Sequence, residues 1–233
     1  MAYEESLKIA IIAALSGGLA IFIFERLSSL MRRILERKIR HYNSIVFYEG
    51  QLNNNLSRLY DILFTIPNIT KHLKDGNITW NNLRIIEFDG SLLKNIYSEK
   101  LRNTLGSYEV DQYKLNDDLE SLMNGYQEIK QALIQKNIKH EEYSVNCESF
   151  IKNLDLIYKF TEMTIQTLLD ALTDVRLRIK TDNPRTSIFI KKIIMNGLKE
   201  YTKEEFKMER KKLDREIDEA STTRKKEIDK ILK

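Results

Sequence analysis

Two kinds of hydrophobic pattern follow each other along the chain. Ile9 to Phe24, IAIIAALSGGLAIFIF, is apolar on every face, and Ser16 is its only polar side chain. As a helix these 16 residues would span roughly 24 Å. Leu7 and a snorkelling Lys8 would bring the segment close to the ~30 Å hydrocarbon core of a bilayer. A transmembrane helix at 9–24 is therefore expected, with a short external segment at 1–8. The acidic MAYEESLK before it, and the absence of a small-residue exit after it, speak against a cleaved leader.

Beyond Phe24 the pattern changes to steps of four and three. A first frame runs Met31, Leu35, Lys38, Tyr42, Ile45, Glu49, Leu52, Leu56, Leu59, Leu63, Ile66, and Pro67 is expected to end it. A second frame is Leu115, Leu119, Leu122, Tyr126, Ile129, Leu133. The third is Cys147, Ile151, Leu154, Tyr158, Thr161, Ile165, Leu168, Leu172, Val175, Ile179, closed by Asn183-Pro184. The connection at 137–142 is short, so the second and third helices should run antiparallel. The fold class is all-α: an N-terminal transmembrane helix continuing through a stalk, 25–40, into an antiparallel helical bundle, 41–181.

Two stretches break this regularity. Residues 67–108 carry the turn signals Pro67, Asp75-Gly76 and Asp89-Gly90, a short alternation in LRIIEF, and Ser91 as a helix N-cap. This irregular excursion is read as a plug for one end of the bundle. Trp80, Arg84 and Phe88 are the residues it would offer to a partner. Residues 185–233 read as an amphipathic piece, IFIKKIIMNGL at 188–198, followed by a solvated charged helix with too few apolar positions for a core element.

Charge sets the orientation. The stalk carries Arg26, Arg32, Arg33, Arg37, Lys38 and Arg40 against one lysine ahead of the run, which places the C-terminal domain in the cytoplasm and the N-terminus outside. Within the run, Ala10, Ala14 and Gly18 recur every fourth residue, a spacing that lets two membrane helices approach closely. Over the whole chain 38 basic and 34 acidic residues nearly balance, so nucleic acid is not expected as a partner. Two prolines and eight glycines are too few to punctuate a β-sandwich.

Candidate chemistry changes the picture little. One cysteine, Cys147, excludes a disulfide framework, and His41, His72 and His140 stand apart from one another. No Gly-rich phosphate loop, H-E-x-x-H or nucleophile-elbow motif occurs. No catalytic residue, metal ligand or cofactor is expected. The function that fits is a membrane-anchored scaffold or adaptor, whose partners are the lipid bilayer and either further copies of itself or a coiled-coil protein. Next in order come a signal transducer or pore-forming effector, then a nucleic-acid-binding module at the membrane.

Overall fold

The computed structural model describes residues 2–74, 83, 86–134, 140–182 and 201–231; within its helices the side chains of 2–15, 129, 132–134, 140–146, 221 and 223–231 lie outside that description. Regular structure among the described residues is helical throughout: α1 (Ala2–Lys74), a 3-10 turn (Gly90–Asn95), α2 (Glu99–Ile134), α3 (His140–Asp182) and α4 (Lys203–Ile231). At 1.5 Å per residue the 73 residues of α1 make a rod of roughly 110 Å. From 16 to 40 it projects beyond the bundle, for Leu19, Phe24, Leu27 and Leu30 are all exposed, and His41 is the first buried residue among those whose side chains are described. Among the described residues no helix is long and apolar enough to cross a membrane. The run 9–24 falls partly on residues whose side chains are outside the description, and its reading as a membrane span draws no support from the fold.

α3 is the central helix and packs against α1, α2 and α4. From Ala171 to Val175 it is buried on all sides, as only a helix surrounded by three others can be. The first of the three 4-3 frames meets the core in a rotated form. On α1 the buried line is His41, Ile45, Tyr48, Leu52, Asn55, Leu59, Ile62, Ile66, Ile69, Leu73. It shares Ile45, Leu52, Leu59 and Ile66 with the sequence frame. Leu56 of the frame is buried as well, while the other alternate positions move back by one residue, from Tyr42, Glu49 and Leu63 to His41, Tyr48 and Ile62. On α2 the line extends back through Leu101, Leu105, Tyr108 and Gln112 before reaching Leu115, Leu119, Leu122 and Tyr126.

Three boundaries differ from the expectation. Pro67 does not end α1, which continues to Lys74 and buries Ile69 and Leu73. Around the proline the side chains of Thr65, Asn68 and Thr70 donate to the carbonyls of Asp61, Phe64 and Ile66, adding hydrogen bonds where the ring removes one. Ser91 does not cap an α-helix: Asp89 caps the 3-10 turn, and α2 starts at Glu99 behind Ser98, whose Oγ accepts from the Leu101 N–H at 3.3 Å. The irregular excursion 67–108 thus loses both ends to helices. Finally, the charged C-terminal helix is docked. Thr202 and Glu205 form a reciprocal capping box at its start, and Leu213 is buried against α3. The amphipathic piece at 188–198 lies outside the described residues.

Candidate interaction surfaces

Polar side chains gather where the exposed part of α1 enters the bundle. Asp174 of α3, 2% exposed, accepts from Thr104 Oγ1 at 3.3 Å and from the Tyr201 hydroxyl, and it pairs with Lys100 at 3.6 Å. Lys100 Nζ also lies 4.6 Å from the centre of the Tyr201 ring, and Arg178, equally buried, sits 5.2 Å from that ring on its other contact. Arg178 Nη2 donates to Ser98 Oγ at 3.1 Å. One turn further on, His41 Nδ1 accepts the Tyr97 N–H at 3.3 Å, which leaves the ring proton on Nε2, 3.3 Å from Asp182 Oδ2. The cluster holds the end of α3 and the starts of α2 and α4 to α1. Its charges face charges, hydroxyls or rings.

A layer of ion pairs fixes α4 outside α3. Arg176 meets Glu49 at 3.6 Å and Glu216 at 2.7 Å, Lys180 meets Glu209, and Arg210 meets Asp170 while donating to Gln166 Oε1 at 2.8 Å. The hydrogen bond from Arg176 holds the Glu216 carboxyl below its ordinary range.

Residues 86–89 of the excursion belong to no regular element. Ile86 and Phe88 point inward while Glu87 and Asp89 point outward, and amide side chains take the place of neighbouring strands. Asn116 both accepts from the Ile86 N–H at 3.0 Å and donates to the Ile86 carbonyl at 2.7 Å, and Gln112 donates to the same carbonyl. From α1, Asn55 donates to the Glu87 carbonyl at 2.9 Å, and Gln51 accepts from the Asp89 N–H at 3.3 Å. Phe88 is buried between Tyr48, with ring centres 5.3 Å apart and stacked, and Tyr108, at 5.3 Å edge-on. Burial pushes both tyrosine hydroxyls above their ordinary pKa.

A groove of about 590 Å³ lies between α2 and α3. Phe150, Ile157 and Leu122 form its floor, Leu156 and Met163, each 63% exposed, stand on its rim, and Lys114 Nζ lies 4.9 Å from the Phe160 ring across it. Leu156 and Met163 sit off the α3 frame, so large apolar residues surplus to the 4-3 pattern were the available signal for this surface. Asp174 and Arg178, charges inside the most apolar stretch of α3, were the signal for the polar joint.

The residues singled out from the sequence are scattered over these surfaces. Arg26, Arg32, Arg33, Arg37 and Arg40 are exposed on α1, with Arg26 5.3 Å from the Phe22 ring and Arg32 3.4 Å from Glu36, while Lys38 is partly covered. Gly18 is exposed, with no atom within 4 Å of where a Cβ would stand; the side chains of Ala10 and Ala14 are outside the described residues. So are Trp80 and Arg84, and Phe88 is part of the core rather than of an outer face. Cys147 is buried, and among the described residues no three His, Cys, Asp or Glu side chains converge as metal ligands. The chain matches no family model, no curated protein and no solved structure.

Proposed function

We propose that the chain is a single-pass, membrane-anchored helical scaffold, with 9–24 in the bilayer, the N-terminus outside and the bundle presented to protein partners at the cytoplasmic face. The observation that carries the anchor is the uncharged run at 9–24, and the continuity of α1 joins that run, through the basic stalk, to the core. The basic residues follow the run directly, where positive charge is retained on the cytoplasmic side. The α2–α3 groove, with Leu156 and Met163 on its rim, is the docking surface for a partner helix. A C-terminal reporter should therefore be cytoplasmic, and the protein should stay with membranes in high salt. Leu156→Asp with Met163→Asp should abolish partner capture from solubilised membranes at an unchanged melting temperature. A reporter on the outer side, or a chain released by salt, would overturn the anchor; capture unaffected by the double change would overturn the groove.

Continuity also favours a second reading, in which α1 acts as a lever between membrane and bundle. A pore is less compatible, since 9–24 contains no ionisable side chain to line an ion path.

A further inference from the structure

The bundle uses a face of α1 rotated from the one patterned in the stalk, the two meeting at Ile45. In the stalk the 4-3 line Met31, Leu35, Lys38, Tyr42 extends upward without a change of step through Ser28, Phe24, Ile21, Gly17, Ala14 and Ala10. Phe24 is 73% exposed, Met31 41% and Leu35 39%, and Leu27, Ile39 and Val46 beside them are exposed as well. At 100° per residue Met31, Leu35 and Tyr42 fall about 100° away from His41, Ile45 and Tyr48, the positions that α2 and α3 cover. Phe24, Met31 and Leu35 are thus left exposed on one line among the described residues, to one side of the bundle, with Lys38 and Tyr42 at its lower end partly covered.

We propose that a second copy of this chain, parallel to the first, covers this line from Phe24 to Tyr42. The proposal rests on the membrane anchoring set out above, because a shared bilayer holds copies parallel and at one height, so that each line meets itself. Three features of the helix select this occupant. Arg26, Arg33, Arg37 and Arg40 lie on the side of the stalk opposite the line, roughly 180° away, so four of the six stalk cations stay clear of a second stalk and Lys38 alone lies on the line. The same line passes through Ala10, Ala14 and Gly17, small residues that allow close approach of a second backbone within lipid. The helix is unbroken, so the apolar line of the stalk cannot fold back against its own span. The exposed side chains amount to several hundred Å² per copy, on the order of the ~800 Å² each partner contributes to a stable interface.

The test is site-directed disulfide formation in the full chain, in native membranes, on a Cys147→Ser background. Single cysteines at Met31 and Leu35 should give dimers several-fold more efficiently than single cysteines at Arg33 and Arg37, and membrane association in high salt is read on the same samples. Equal cross-linking on both faces would overturn the proposal. So would monomers at every position in a chain that stays with the membrane, the result expected if lipid or residues 183–200 of the same chain cover the line. Dimers through Met31 in a chain that leaves the membrane fraction would keep the seam and remove the anchor. Loss of both membrane association and dimers would remove both.

Discussion

At the scale of single residues, the Ile86 carbonyl shows how amides replace a sheet. It receives hydrogen bonds from both Gln112 and Asn116, whereas the Ile86 N–H has Asn116 alone. The Gln112 Oε1 is buried without a partner among the described residues. Gln112→Leu should therefore be close to neutral, since it removes an orphaned acceptor and leaves the carbonyl satisfied. Asn116→Leu strands a buried N–H and should cost about 1–3 kcal/mol. Chemical denaturation of the two variants checks this, and equal losses would show that the two amides are interchangeable. The alternation at 86–88 was legible in the sequence, because inward and outward side chains alternate in any extended segment. The amides that hold it were not. Asn55, Gln112 and Asn116 are polar residues at or beside core positions, and one-dimensional patterning counts them as breaks in a frame.

At the scale of the element, that same effect hid the unity of α2, which the sequence divides into a short helix capped by Ser91 and a second one carrying the frame from Leu115. With Gln112 on the seam and Gly106 inside the helix, the frame was legible only from Leu115, although Leu101, Leu105 and Tyr108 continue it in perfect step. Pro67 misled in the opposite direction. Its penalty of ~3 kcal/mol in a helix interior is a local quantity, and burying Ile69 and Leu73 beyond it, at ~1.5–3 kcal/mol each, offsets it. Pro67→Ala should restore the missing hydrogen bond to the Leu63 carbonyl and raise stability by about 1–2 kcal/mol, less than the full penalty because alanine also loosens the unfolded chain. A raised denaturation midpoint at unchanged slope is the expected result. A lower midpoint would mean that the proline supports a bend on which the packing of Ile69 and Leu73 depends. α4 was legible as a helix but not as a docked one, because its contact with α3 is written in paired charges on two distant segments.

At the scale of the molecule, the sequence made the all-helical class and the continuity of α1 readable, since both depend on composition and spacing along one axis. Which side of α1 faces the bundle was not readable to better than one residue, about 100°. That rotation bears on function. Glu49, a polar break in the sequence frame, stands beside the core line and pairs with Arg176 at 3.6 Å, so the core contact of α1 from His41 downward is uninterrupted by it. The bundle therefore fixes the lower part of α1 firmly, and the question is whether its upper part must keep a rotational phase relative to the membrane. Two alanines inserted after Arg33 turn everything below by about 200°, and seven residues restore the phase to within about 20°. Both insertions lie above His41, the first buried residue among the described side chains, so melting temperature and protease resistance should match the parent chain. For a scaffold, partner capture through the α2–α3 groove should also survive both, because neither insertion changes the groove or the anchor. Loss of output with two residues and its return with seven would replace the scaffold with the lever. The stalk cysteines make the comparison internal: two residues divide the line between Met31 and Leu35 and should weaken disulfide dimers through Leu35, while leaving those through Met31. A scaffold that only needs its copies side by side tolerates that loss of register, and the expected outcome is capture at parental levels in both insertions.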